Sequence, residues 1–134
     1  MADLLSAYLI TGTDRPKVTR ALRRLRDRVG EEATETLDAA EASGEDAAAA
    51  CNAMGLFVVE RRLVVVEQVE RWKAPDVKAV QEYLRKPAPT RVLTLVGSDV
   101  KRDSPLAKAV AKAGEVLVFD LPTRGRKVDL RRIT

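Results

Sequence analysis

The segment GTDRPKVT, residues 12–19, has the spacing nearest to a known chemical motif in this sequence. It follows the apolar run AYLI, which predicts a strand that ends in a turn. Laid on the phosphate-loop pattern G-x-x-x-x-G-K-S/T, Gly12 and Thr19 match, whereas Lys17 replaces the second glycine and Val18 the lysine. A valine cannot neutralise nucleotide phosphates as a lysine does, so the pattern indicates a degenerate phosphate loop.

Lys17 is either a displaced phosphate ligand or a helix-start lysine on a solvated face, and we favour the second interpretation. The other half of a nucleotide site is a strand that ends in acidic residues, which hold magnesium and orient water. Here the strand that begins at Leu63 ends in Glu67 and Gln68 rather than in a paired Asp-Glu. We interpret Glu67 as surface charge at a strand end, and we predict neither catalytic residues nor a cofactor.

The composition narrows the chemistry further. The chain has no His and a single cysteine, Cys51, which excludes His-based catalysis, Cys/His zinc sites and internal disulfides. Lys and Arg exceed Asp and Glu by four, a mild excess that favours solubility and loose attraction to polyanions. Neither a membrane span nor a signal peptide is evident, so we expect a cytoplasmic protein in a reducing setting.

A second candidate site is the segment NAMGLFVVERR, residues 52–62. Leu56 and Phe57 follow a glycine that would break the preceding helix and turn both side chains outward. Two large apolar side chains on a loop tip form an anchor of the kind that dominates small interfaces, and Arg61 and Arg62 could steer it to an acidic partner. Alternatively, the pair packs the helix onto the sheet and the arginines are a solvated flank. Periodicity leaves both interpretations open.

Hydrophobic periodicity predicts the elements that would position these sites. Short runs rich in strand formers predict five strands, at residues 7–10, 34–37, 62–67, 91–96 and 116–119. Apolar residues at helical spacing predict four helices, at residues 17–29 and 45–53, from Pro75 to before Pro87, and after Ser104 to Gly114. Ser43, with Asp46 three residues on, resembles a capping signal that opens the second helix. The continuous run RLVVVE further predicts a central strand covered on both faces.

This alternation predicts an α/β domain with three layers, in which a parallel five-stranded sheet has helices on both faces and right-handed crossovers. We assign residues 1–120 to this domain. Residues 121–134 turn basic and irregular, and we expect them to begin a linker to another domain.

Four segments resemble, in order and spacing, the first domain of the bacterial DNA polymerase III delta subunit, a clamp-loader component. They are YLITGTDRPKVTRALRRLRD, NAMGLFVVERRLVVVEQVERW, TRVLTLVG and AGEVLVFDLP. The stretch LF-x-x-x-R-x-L-V-V-V-E is the most specific part. The resemblance covers essentially the whole chain.

The resemblance implies an AAA+ fold of the P-loop NTPase type, without ATPase activity, in a subunit that opens the ring-shaped sliding clamp during DNA replication. It implies that an apolar pair after the second helix contacts the clamp, which falls here on Leu56 and Phe57, with Met54 at a smaller apolar position. Asn52 stands where a glutamine often opens the related clamp-binding hexapeptide. The resemblance also implies that residues 121–134 begin a linker to a following lid domain absent from this chain. The implied partners are the sliding clamp, other loader subunits through missing C-terminal domains, and primed DNA indirectly. No membrane is implied.

Other functions stay open. A divergent P-loop NTPase would use Lys17, Thr19 and Glu67. A nucleic-acid-binding module would use the arginine face of the first helix and the basic tail, through phosphate contacts, because few aromatic residues are available for base stacking. A phosphoacceptor receiver built on Asp38 is a weaker alternative, since no acidic cluster follows the first strand.

Overall fold

The computed structural model describes residues 4–53 and 61–122, and it confirms the predicted alternation of strands and helices. The strands are β1 (Ala7–Thr11), β2 (Thr34–Asp38), β3 (Arg62–Glu67), β4 (Arg91–Gly97) and β5 (Gly114–Val118). The helices are α1 (Arg15–Val29), α2 (Gly44–Asn52), α3 (Ala74–Arg85) and α4 (Pro105–Ala113). Two short 3-10 helices, Glu31–Ala33 and Val69–Arg71, were not predicted because three residues are too few to establish a period.

All the strands are parallel and lie in the order β2-β3-β4-β1-β5. Strand β3 has a neighbour on each side, as its continuous β-branched run predicts. The middle position belongs to β4, however, and every residue of that strand is buried. Which covered strand is the middle one depends on the crossovers and not on the composition of either strand.

The two faces of the sheet are covered unequally. Among the residues that the structure describes, helices α2, α3 and α4 pack on one face and α1 is the one helix on the other. Consecutive strand residues point to opposite faces, so Leu9 contributes to the three-helix side and Ile10 to the α1 side. The result is a three-layer α/β arrangement whose α1 layer is one helix wide.

Capping residues mark the starts of α1 and α2 and the end of α1. The Asp14 carboxylate accepts the Lys17 backbone N–H at the start of α1. Ser43 and Asp46 form the capping box at the start of α2 that the sequence predicts. Gly30 follows α1 with a positive φ of 100°. No helix within residues 4–53 and 61–122 is long and apolar enough to cross a membrane.

Asp76 joins the first turns of α2 and α3. Its two carboxylate oxygens accept backbone N–H groups from Gly44 and Lys73, each at 3.0 Å. The hydrogen bonds from Lys73 and then Gly44 lower the pKa of Asp76. These contacts set the position of α2, whose far end leads to residue 54.

Candidate functional site

The parallel sheet separates the candidate residues into two groups. The first strand ends just before Gly12 and the third ends at Glu67, so both lie at the edge formed by the carboxyl ends of the strands. Helix α2 ends at Asn52, and β3 begins at Arg62, at the edge formed by the amino ends. We call these the carboxyl edge and the amino edge. Ligands of doubly wound sheets usually bind at the carboxyl edge.

At the carboxyl edge, the turn after β1 is in contact with the residue that follows β5. The Asp14 N–H donates to the Phe119 carbonyl oxygen, and the Phe119 N–H donates to Thr11, each at 2.8 Å. Gly12 has a φ of 136°, and a Cβ placed there would lie 2.1 Å from the Phe119 carbonyl oxygen. Gly12 is therefore required by a close backbone approach within the chain.

The chain's own polar groups also use the donors of this turn. The Thr13 N–H donates to the Asp120 carboxylate at 3.1 Å, and the Leu121 N–H donates to the Thr13 hydroxyl at 2.9 Å. The Asp14 carboxylate takes the Lys17 N–H at 3.3 Å. In a phosphate loop, such backbone N–H groups would donate to the phosphate. Here they donate to the carboxylates of Asp14 and Asp120, which lie at the helix end that favours negative charge.

The side chains of the remaining residues of the phosphate-loop pattern do not converge on this turn. The Lys17 ammonium is 3.9 Å from the Asp14 carboxylate, and its side chain is 59% exposed. Thr19 is exposed on the next turn of α1. Val18 is 1% exposed in the core between α1 and the sheet. The position where the motif has its lysine therefore points into the protein.

Glu67 is half-buried at the end of β3 and lines a small polar pocket of about 160 Å³ together with Arg15 and Glu70. Lys17 and Thr19 do not line that pocket, so the structure does not bring the three residues together. Gln68 has a left-handed backbone, with φ 61°, and its amide nitrogen lies 3.0 and 2.9 Å from the two carboxylate oxygens of Asp38.

The described residues contain no group of three or more His, Cys, Asp or Glu placed to hold a metal ion. Asp38 and Glu67 are register partners on β2 and β3, and Glu70 lines the same pocket as Glu67, but the three are not placed to hold a metal ion together.

At the amino edge, hydrogen bonds hold both flanks of the predicted apolar segment. The Ala53 carbonyl oxygen, one residue beyond α2, accepts a hydrogen bond from Arg91 Nη2 at 2.9 Å. The Arg62 N–H donates to the Thr90 carbonyl oxygen at 2.9 Å. We call residues 53, 62, 90 and 91 the stem.

Asn52 and Arg61 are exposed beside the stem, and Arg62 is half-buried. Leu56 and Phe57, and the neighbouring Met54, fall in residues 54–60, which lie outside the described part of the chain.

Arg91 is a stem residue that the sequence analysis missed. It is 5% exposed at the start of the middle strand, and its guanidinium also donates to the Thr90 hydroxyl at 3.0 Å. Within residues 4–53 and 61–122, no carboxylate lies at ion-pair distance from it. The partial negative charge of the α2 carbonyl end stabilises this buried cation instead. An arginine that opens an otherwise apolar strand is a signal that could have identified it.

Two neutral groups pack beside the stem. Burial raises the pKa of the Cys51 thiol to about 11. Burial is also the main cause that raises the pKa of Tyr83 to about 12. The Tyr83 hydroxyl accepts the Ala88 N–H at 3.1 Å. Neither group ionises near neutral pH, so Arg91 is the charged group in this part of the interior.

Comparison with known proteins identifies a family. The family model described as "DNA polymerase III, delta subunit" matches residues 8–119. No curated protein matches the sequence.

Solved structures show the same fold. The Bacillus subtilis DNA clamp loader delta protein YqeN has a TM-score of 0.72 at 21% identity, over 87% of this chain and 39% of that one. A DNA polymerase III gamma subunit-related protein from Thermotoga maritima has a TM-score of 0.57 at 17% identity, over 87% and 41%. A Thermotoga maritima RuvB variant has a TM-score of 0.54 at 16% identity, over 90% and 39%. The chain thus spans about two-fifths of the length of these proteins.

Proposed function

The chain belongs to the DNA polymerase III delta-subunit family, and from this premise we propose that it binds the sliding clamp and helps to open it during DNA replication, without hydrolysing ATP itself. The stem is the observation that carries the proposal, because it fixes both flanks of the apolar segment at one edge of the sheet. The other clamp-loader subunits are the further partners expected of this family.

The reach of the chain supports Leu56 and Phe57 as the clamp contact. Leu56 is three residues from Ala53, so its Cα can lie no more than about 11 Å from the stem. A short connection between fixed points restricts where the pair can go, which lowers the entropy lost on binding. Burying each side chain in a clamp pocket would contribute roughly 1.5–3 kcal/mol before the costs of association.

The opening step in this proposal is mechanical. The clamp ring has closed and open states, and a partner shifts the balance only by binding the open state more tightly. Contact by Leu56 and Phe57 would anchor the domain, and the neighbouring end of α2 would bear on the ring interface. ATP would act through other subunits of the loader.

The contacts at the carboxyl edge support the absence of ATP hydrolysis. A nucleotide at the turn after β1 would have to displace the Asp120 carboxylate and compete with Asp14 for backbone donors. Val18 is buried where a phosphate-binding lysine would be needed. A divergent NTPase using Lys17, Thr19 and Glu67 would require these contacts to rearrange.

The clamp contact is tested by titration calorimetry of the chain with its cognate sliding clamp. The double variant Leu56→Ala with Phe57→Ala should abolish binding, because it removes both anchors. The matched control is Leu5→Ala with Leu121→Ala, since these side chains are 42% and 54% exposed elsewhere on the domain. Fluorescence of Trp72, which is 9% exposed, monitors folding. Unchanged affinity in the Leu56/Phe57 variant would contradict the proposal.

The absence of nucleotide chemistry is tested by equilibrium binding of labelled ATP with magnesium. We expect no binding at micromolar nucleotide, because the turn lacks a phosphate-binding lysine and its Thr13 and Lys17 backbone N–H groups already donate to Asp120 and Asp14. Micromolar affinity that is lost in Lys17→Ala would favour the divergent NTPase instead.

A further inference from the structure

Helix α1 carries a concentration of positive charge that the proposed clamp contact does not use. Its 15 residues include seven basic side chains and one acidic residue, Asp27, which gives a net charge of +6. The basic residues are Arg15, Lys17, Arg20, Arg23, Arg24, Arg26 and Arg28. The described residues outside α1 carry 12 basic and 16 acidic side chains, a net charge of −4. The charge of the domain is therefore segregated onto one helix.

Three of these arginines point away from the protein. Helix α1 buries Val18 and Leu22 against the sheet, whereas Arg20, Arg23 and Arg24 are exposed. None of the three forms an ion pair with a carboxylate in the described ranges 4–53 and 61–122. Because α1 lies alone on its face of the sheet, no described helix covers this outward side. We call these three residues the α1 arginine surface.

The chemistry of this surface fits a nucleic acid better than a protein. The cores of protein interfaces are depleted of charge and rich in aromatic residues, and no large apolar side chain of α1 is exposed. Protein–DNA interfaces are more polar and much more positively charged. Arginine also matches phosphate oxygens with two parallel N–H groups.

We propose that the α1 arginine surface binds the phosphate backbone of duplex DNA. Arg20 and Arg24 are one helical turn apart and lie about 6 Å from each other along the axis of α1. They would therefore contact neighbouring positions on the phosphate backbone. Phosphate contacts carry no direct sequence information and displace counterions, so this binding is independent of base sequence and strongly dependent on salt.

This surface lies on the opposite layer from α2, whose end leads to the clamp-binding segment, so DNA and clamp contacts are physically separate.

The test measures fluorescence anisotropy of a short labelled duplex of mixed sequence with the 134-residue chain over a range of salt concentrations. The test variant replaces the α1 arginine surface by glutamine: Arg20→Gln, Arg23→Gln and Arg24→Gln. The matched control removes three exposed charges from α3 and α4, on the other layer: Lys78→Gln, Lys108→Gln and Lys112→Gln.

Both variants lose three positive charges and keep the same basic tail. We expect the α1 variant to bind duplex DNA roughly tenfold or more weakly near 0.1 M salt, while the control keeps most of its affinity. The slope of the logarithm of the binding constant against the logarithm of the salt concentration should be smaller in magnitude by about 2–3 in the α1 variant.

Equal losses in the two variants would mean that only net charge matters, and this would overturn the proposal. An unchanged salt slope in the α1 variant would do the same. Competition by poly-glutamate as effective as that by duplex DNA would point to an acidic protein partner instead. Clamp affinity should be unchanged in both variants, so this test can fail without affecting the proposed clamp contact, and the reverse also holds.

Discussion

The carboxyl edge and the amino edge differ in how the chain uses its own polar groups. At the carboxyl edge, Asp14 and Asp120 take donors of the turn that would cradle a phosphate. At the amino edge, Arg91 and Thr90 hold Ala53 and Arg62, which flank the segment proposed to bind the clamp. Under the proposed function, the edge at which ligands of such sheets usually bind serves contacts within the chain, and the partner binds at the opposite edge.

Substitution of Gly12 should have the largest effect on this comparison. In Gly12→Val the new Cβ would lie 2.1 Å from a backbone oxygen at a φ of 136°, so the turn or the residue after β5 must move. We expect a loss of more than about 3 kcal/mol in the free energy of unfolding, measured by urea titration with Trp72 fluorescence. Gly30→Val is the control, because it has a φ of 100° but nothing within 4 Å. Equal losses in both variants would show that the close approach contributes nothing.

The reactivity of Cys51 sharpens the description of the amino edge. The pKa of the Cys51 thiol is about 11, against 9.0 for a free thiol, so at pH 8 the folded protein has roughly a hundredfold less thiolate than the unfolded chain. A disulfide reagent should therefore react with the folded protein about a hundredfold more slowly than with the unfolded chain. Because the folded-state pKa is the higher one, the protonated thiol stabilises the fold below about pH 9, and this contribution is lost as the pH rises towards 11. Rapid native-state labelling at pH 8 would contradict the packed environment of the stem.

Arg91→Met should weaken clamp binding by roughly tenfold, equivalent to about 1.4 kcal/mol, because the Ala53 carbonyl would lose its charge-assisted partner. Calorimetry with the sliding clamp measures this. The control is Arg85→Met, an exposed arginine whose ion-pair distance to Glu82 is 3.8 Å. If clamp affinity is the same in both variants, the stem does not position the segment.

Lys17→Ala should have the smallest effect, below about 0.5 kcal/mol in the free energy of unfolding, because its ion pair with Asp14 is exposed. Thermal unfolding measures this difference. A loss of more than 1 kcal/mol would mean that Lys17 has a structural role at the carboxyl edge beyond this contact.

The order and type of the elements could be predicted because they depend on local periodicity. The run at residues 62–67 predicts a covered strand with the observed bounds, and Ser43 with Asp46 predicts the start of α2. The place of β4 in the middle of the sheet could not be predicted, since it depends on the crossovers.

The contacts that define the two edges could not be derived from the sequence. The hydrogen bond between Thr13 and Asp120 joins residues 107 positions apart, and that between Arg91 and Ala53 joins residues 38 apart. Local patterns carry no information on such partners. Gly12 therefore looked like a remnant of a phosphate motif, although its contact with Phe119 is sufficient to require a glycine there.

The pairing of β1 has a consequence for how the domain is made. Its neighbours are β4 and β5, so the first described strand pairs only with the last two described strands, and neither of its edges is paired until those strands have been made. During synthesis, β1 cannot pair with β5 until the residues of that strand, which ends at Val118, have left the ribosome. Until β4 and β5 have emerged, the backbone N–H and C=O groups along both edges of β1 lack their sheet partners.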